Sequence, residues 1–381
     1  MAAAPGYGLM MPVVPLAWAA QAAGHAVRLA TTGRMCRVAA DAGLEVVDVC
    51  PGRDLWAQLQ ATAGRTPGGP PSSPFRMFTE EMTPGTTDAA RELGADLVVH
   101  TSDHGAGELA ASHLGLPALE VGNRVSWSTR DREGPGGDIA GVRAVRGAWG
   151  REDEVVRLVA RVDPRPPSMG GLAADEPDRG DGVPWWSMRY VPFNGGAVLE
   201  PWVRATPERP RVLVTLGTVV PTVAGTDVLT VLLEALAGLD VEVVLALGDA
   251  SLPSGTVVPP HVRVTGYLPL SAVLPTCRLV VHHGGSGTTA APLHFGVPQV
   301  VLPAFADNPL SAQRVVDRGL GLAHDPTTLD VATARELVRR VLDEPAFAAA
   351  AREVATEMAG QPSPAAVVAR VESELARAGL R

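Results

Sequence analysis

Short runs of β-branched and aliphatic residues alternate along most of the chain with segments of helical period, which is the pattern of parallel sheets covered by helices. In the first half, residues 26–30, 44–49, 96–100 and 117–121 read as strands, and 12–23, 34–42, 87–93 and 106–114 read as helices. Gly24-His25 and Gly43 stand where helix C-caps belong, which makes His25 a turn residue. A second series begins after residues 185–200, with strands at 212–216, 241–247, 262–266, 279–282 and 299–302. Its helices are 227–237, 270–274, 288–295, 310–318 and 331–342, and two amphipathic patterns, 346–358 and 363–378, close the chain. Ser363 is set to cap the last of these, with Pro364 at its first helical position. The expected fold class is α/β, two Rossmann-like, doubly wound domains facing one another, with ligands at the strand carboxyl ends. Residues 1–195 form the first domain and 205–361 the second, and the closing helix, 362–381, is expected to return to the first.

Two stretches break the rhythm. Residues 64–74 are dominated by Gly, Pro, Ser and Thr and read as a mobile loop, and 129–150 are charged and glycine-rich without periodicity. Long loops at strand ends carry binding function in such folds, so both are candidate walls of an acceptor pocket. Residues 163–183, rich in Pro, Gly and Asp, read as the approach to the domain boundary.

Bulk properties narrow the partners. At 381 residues, two domains are the default, and 46% hydrophobic against 19% charged residues describes a soluble globular protein. The net charge of −9 argues against nucleic acid and anionic membranes. Cys36, Cys50 and Cys277 are scattered and read as small buried hydrophobes in a reducing compartment. No apolar run reaches membrane-spanning length and residues 1–23 lack a basic leader, so a cytoplasmic location is expected. The acidic residues show no metal-ligand spacing.

The densest chemistry lies in Leu279-Val280-Val281-His282-His283-Gly284-Gly285-Ser286-Gly287-Thr288-Thr289. A buried strand runs through two histidines into a glycine-rich turn and then a helix. Such a turn aims several backbone N–H groups at one point on the positive end of the helix dipole, which suits a diphosphate. His283 stands where an imidazole can donate to a phosphate oxygen. Asp307 and Asn308, just past the next strand, offer a carboxylate and an amide to sugar hydroxyls. Gly6-Tyr7-Gly8 is a poor dinucleotide fingerprint, because Met11 holds the third glycine's place and no full strand precedes it.

Read together, Thr215-Leu216-Gly217-Thr218, Gly266-Tyr267-Leu268-Pro269-Leu270, the His-His-Gly-Gly-Ser-Gly-Thr turn and Gly296-Val297-Pro298-Gln299 followed by Asp307-Asn308 resemble one family. It is the GT-B glycosyltransferases that attach activated deoxysugars to macrolide, enediyne and aromatic polyketide antibiotics. Pro15-Leu16-Ala17-Trp18 and Met188-Arg189-Tyr190-Val191-Pro192 extend the likeness almost end to end. The resemblance implies an inverting transfer from a nucleoside-diphosphate sugar, commonly dTDP-linked, to a small hydrophobic natural-product acceptor, without metal or other cofactor. It implies that Tyr267 and Leu268 meet the base. His283, Gly284, Gly285, Gly287 and Thr288 hold the diphosphate, with Gly217 and Thr218 closing over it, and Asp307 and Asn308 face the sugar. A homodimer or an auxiliary protein is a further possible partner. Where the family carries glutamine, Asn308 is shorter by one methylene, which leaves the sugar open.

Two departures matter. The family's catalytic histidine follows the first strand, and Leu9 holds its place here; the acid that orients it is replaced by Thr101. Leucine cannot accept a proton. Three readings remain: a substitute base from His100, Asp103 or His104 after the 96–100 strand; an acceptor reactive enough to need little base; or a non-catalytic homologue that binds the sugar nucleotide or helps a partner enzyme. A sugar-nucleotide epimerase is the alternative enzyme. The second departure is at the start, where only Met1-Ala2-Ala3-Ala4 precedes Pro5-Gly6 in place of a full strand, and an upstream start is the favoured explanation.

Overall fold

The computed structural model describes residues 1–62, 74–131, 139–176, 181–223 and 225–379. The chain divides into two compact units. Met1–Arg165, Gly171–Arg189 and Gln361–Arg381 form one, and Pro166–Gly170 with Tyr190–Gly360 form the other.

In the first unit, β1 (Arg28–Thr31) pairs in parallel with β2 (Glu45–Asp48). The strands β3 (Val98–Thr101), β4 (Pro117–Val121), β5 (Arg157–Asp163) and β6 (Trp185–Ser187) lie side by side in that order, all parallel. Residues 1–4 join the two groups. Ala2 bridges Ala30 on one side and His100 on the other, its N–H donating to Val99 at 2.8 Å and its carbonyl accepting from Thr101 at 3.2 Å. Chain order thus runs outward in both directions from Ala2, and the winding reverses between that segment and β3. In an open α/β sheet, such a switch point opens a crevice at the carboxyl ends of the strands.

Several local readings need correcting here. Residues 129–150 are not irregular throughout: Ile139–Ala148 is a helix whose Val142 and Val145 are buried with Leu109. Gly141 and Gly147 obscure its period in the sequence. The helix read at 87–93 begins at Pro74 and ends at Glu92. Pro84 and Gly85 look like breakers, yet the glycine is demanded by packing, since a Cβ there would lie 2.1 Å from the Val49 carbonyl. Leu55–Thr62 is a further helix, started by Asp54, whose carboxylate accepts from the N–H groups of Trp56 and Ala57 at 3.0 Å. The turn read at Gly6-Tyr7-Gly8 opens a short helix, Tyr7–Met10. Strand β5 carries charges at both ends and within, and β6 is only three residues long, so neither reads as a strand. Residues 64–73 and 132–138 lie outside the described residues.

The second unit holds a single parallel sheet. Its strands are β7 (Arg211–Thr215), β8 (Glu242–Ala246), β9 (Val262–Thr265), β10 (Leu279–His282), β11 (Gln299–Val301) and β12 (Gly321–Ala323), in the spatial order β12-β11-β10-β7-β8-β9. This is the Rossmann order, with its switch point between β7 and β10. Both strands are buried along their whole length, which is why their sequences are continuous apolar runs. β12 escapes sequence reading because it is three residues long and starts on Gly321, where a Cβ would strike the Gln299 carbonyl at 1.7 Å.

The closing helix, Pro364–Arg377, is capped by Ser363, whose hydroxyl accepts from Ala366 at 3.2 Å. It packs on the helix Val14–Ala22, and its Glu372 meets His25 at 2.9 Å. Among the described residues, no helix is long and apolar enough to cross a membrane, and no group of His, Cys, Asp and Glu could hold a metal ion. Burial raises the thiols of Cys36 to about 11 and Cys277 to about 12, so neither is a nucleophile at neutral pH.

Candidate functional site

The switch point of the second unit brings together the loop after β7 and the turn after β10. Between them lies the ring of His283, pressed from two sides by backbone. A Cβ at Gly217 would sit 2.4 Å from its Cε1, and one at Gly285 would sit 2.3 Å from its Nε2. Both positions therefore require glycine. Gly217 also has φ +68 and Gly284 φ +85, conformations that glycine adopts without penalty. Gly285 then leads into the helix Ser286–Phe295, whose first turn has no side-chain cap. A helix N-terminus of this kind favours an anion at its end. A Cβ at Gly287 would find only the Tyr190 hydroxyl, at 3.8 Å, so this turn stays open on that side.

The two histidines divide the work. Gly284 donates its N–H to His282 Nδ1 at 3.1 Å, which puts the ring proton on Nε2. Nε2 donates to Gln299 Oε1 at 2.7 Å, and the Gln299 amide donates to the Thr289 carbonyl at 3.3 Å. His282 thus stitches strand, turn and helix together and is structural. His283 Nδ1 is buried and has no hydrogen-bond partner among the described residues. The ring also meets the Thr215 backbone, so Nδ1 is the nitrogen left over. Burial lowers His283 to about 4, against the pull of the Thr215 backbone and the Asp307 charge, and lowers His282 to about 3 with help from its neighbour. Both rings are neutral at neutral pH.

These shifts set a pH dependence. Unfolded histidine titrates near ~6.5, well above both folded values, so between pH 6.5 and 4 the unfolded chain binds more protons. The stability contribution is complete above pH 6.5 and drains away as pH falls towards 4. Urea midpoints measured from pH 7 to 4.5 should fall steadily, and His282→Gln, lacking the titrating ring, should give a shallower slope. Equal slopes would count against the buried neutral pair.

Asp307 and Asn308 lie at the start of the helix Asn308–Asp317. A Cβ at Gly284 would sit 2.9 Å from the Asn308 carbonyl, so this loop abuts the turn after β10. Asn308 is buried and Asp307 half-buried. Ala306, just before them, has φ +54, the one positive value at a non-glycine among the described residues. Strain of this kind persists where the surroundings enforce it, commonly at functional sites. After β9, Tyr267 is pinned by its hydroxyl, which donates to the Asn194 carbonyl at 2.8 Å, while 43% of the residue stays exposed. Leu268 is half-buried and packs into the core beneath. Thr218 and Thr288 are half-buried beside Gly217 and Gly287.

The switch point of the first unit gathers the other candidates, and the three part ways. His100 is sealed between sheet and helix: its Nδ1 meets the Thr101 carbonyl at 3.2 Å, and its Cβ lies 2.5 Å from where a Cβ on Gly107 would stand. His104 turns its Nδ1 to the Thr101 hydroxyl at 3.4 Å. Asp103 is fully buried. Its Oδ1 accepts from Asn123 Nδ2 at 3.2 Å, and its Oδ2 has no partner among the described residues. The same Asn123 nitrogen donates to the Leu9 carbonyl at 3.0 Å. Sequence reasoning missed Asn123. It stands two residues past β4 as Asp103 stands two past β3, and that position was its only signal.

Two family profiles match the chain: erythromycin biosynthesis protein CIII-like, N-terminal domain, over residues 69–217, and the C-terminal domain of the same family over residues 230–374. The elloramycin glycosyltransferase ElmGT of Streptomyces olivaceus is 38% identical, covering 91% of this chain and 90% of its own. Among solved structures, the glycosyltransferase SnogD from Streptomyces nogalater matches with a TM-score of 0.80 at 34% identity, over 98% of this chain and 97% of SnogD. The glycosyltransferase SsfS6 of Streptomyces sp. SF2575, complexed with thymidine diphosphate, matches with a TM-score of 0.79 at 30% identity, over 98% of each chain.

Proposed function

The chain belongs to the erythromycin CIII-like family of GT-B antibiotic deoxysugar glycosyltransferases, and on that premise we propose that it transfers a deoxysugar from a nucleoside diphosphate, dTDP foremost, to a polyketide-type aglycone with inversion. The observation that carries this reading is the buried His283 ring, with one nitrogen unpartnered among the described residues and with Gly217 and Gly285 packed against it, just before the helix Ser286–Phe295. A diphosphate placed there takes up the helix N–H groups and the ring. The thymidine diphosphate bound to SsfS6 favours dTDP. In this reading Gly217, Thr218, His283, Gly284, Gly285, Gly287 and Thr288 surround the diphosphate, Tyr267 and Leu268 meet the base, and Asp307 and Asn308 hold the sugar. The first unit reads the acceptor.

As the acceptor oxygen bonds to the anomeric carbon, the bond from that carbon to the diphosphate oxygen breaks and its electron pair leaves with the diphosphate. The acceptor's proton needs a base. Leu9 offers none. Of the three candidates, we take Asp103 as the base, because Asn123 holds its Oδ1 while its Oδ2 has no partner among the described residues.

A charge-assisted hydrogen bond of the His283 kind is worth roughly 1.5–3 kcal/mol, so His283→Ala should weaken dTDP binding about tenfold or more. Calorimetry with dTDP reads this directly. An unchanged dissociation constant in the folded variant would remove the diphosphate from this turn.

A further inference from the structure

We propose that Asn123, oriented by Arg124, is the positioning residue of the transfer: it fixes Asp103 Oδ1, leaves Oδ2 as the proton acceptor, and ties that carboxylate to the short helix that carries Leu9. The inference rests on the reading of Asp103 as the base.

The amide's orientation follows from its partners. Arg124 Nη1 donates to Asn123 Oδ1 at 2.9 Å, and a guanidinium can only donate. The Asn123 nitrogen carries two hydrogens and meets two acceptors, Asp103 Oδ1 at 3.2 Å and the Leu9 carbonyl at 3.0 Å. Turning the amide over would set oxygen against carboxylate and carbonyl, and N–H against guanidinium. All three contacts would become repulsive. Arg124 is itself held: it is 4% exposed, and its guanidinium lies 4.7 Å from the Trp127 ring and 5.5 Å from the Phe75 ring.

The geometry also explains how a site without the usual histidine pair stays ordered. Asp103 and Asn123 come from loops after the adjacent strands β3 and β4, and Leu9 from the short helix that follows residues 1–4. One side-chain amide binds all three. With Oδ1 occupied, proton transfer is directed to one oxygen. His104, turned to Thr101, and the Arg124 guanidinium are the other titratable or charged side chains recorded beside this cluster.

The test uses the full chain with a dTDP-6-deoxyhexose and a tetracyclic phenolic polyketide aglycone. Asn123→Ala should lower kcat about tenfold or more, leave the donor KM near the wild-type value, and move the acid limb of the pH–rate profile to higher pH. Asn123→Asp, nearly isosteric, covers the case in which the alanine variant does not fold. Two carboxyls sharing one proton should turn its profile into a bell, active only in the singly protonated state. A lowered kcat with an unmoved profile in both variants would make Asn123 merely structural and overturn the proposal. If Asp103→Asn keeps its turnover, the reading of Asp103 fails instead, and this inference falls with it. Wild-type protein that turned over no dTDP-deoxysugar with any polyketide aglycone would remove the transferase reading altogether.

Discussion

Replacing Asp103 by asparagine is expected to lower sugar transfer by about 10²–10⁴-fold, the range that a general base contributes. Affinity for dTDP should be unchanged, because Asp103 lies in the first unit and the turn proposed to hold the diphosphate lies in the second. Stability provides an independent check. A fully buried carboxylate with one oxygen unpartnered is a cost to the fold. A neutral amide of the same shape reduces that cost, so the melting temperature of Asp103→Asn should equal or exceed that of the wild type. Loss of activity with gain of stability marks a residue kept for chemistry. Turnover within a few fold of wild type would instead point to an acceptor that supplies its own nucleophilicity, and a stability loss would assign Asp103 to the fold.

The contrast between the two units explains what could be read from the sequence. In the second unit, β10, the glycine turn and the next helix are contiguous, and Gly284 and Gly285 each have a local reason to be there, so the strand–turn–helix unit was legible as a string of residues. Even there the division of labour between His282 and His283 was not, because it depends on Gln299, which reaches back across the sheet to His282. The first unit assembles its cluster from Leu9, Asp103 and Asn123, separated by 20 to 114 residues along the chain. No local pattern announces such an arrangement. Pro84 and Gly85 misled for a related reason: the sequence shows a breaker, and only the Val49 carbonyl shows why glycine belongs inside that helix. Short strands such as β6 and β12 fall below what periodicity can detect, since three residues cannot display a period.

Glycine-to-alanine substitutions in the second unit separate backbone conformation from packing against the site. Gly217→Ala should cost about 2–5 kcal/mol of stability, combining about 1–2 for a left-handed alanine with about 1–3 for overpacking. The overpacking arises because the new methyl group would lie 2.4 Å from His283 Cε1. His283 has little room to move, since Gly285 also packs closely against its Nε2. The ring must therefore leave its place, and dTDP affinity should fall at least as far as in His283→Ala. Gly248 is the matched control: its φ is +63, close to the +68 of Gly217, but a Cβ there would meet nothing within 4 Å. Gly248→Ala should then lose only the conformational part, about 1–2 kcal/mol, and keep its dTDP affinity. Urea unfolding and dTDP calorimetry on both variants read the difference. Equal losses in the two, with dTDP binding intact in Gly217→Ala, would mean that the turn tolerates a displaced ring and that His283 does not depend on its glycine frame.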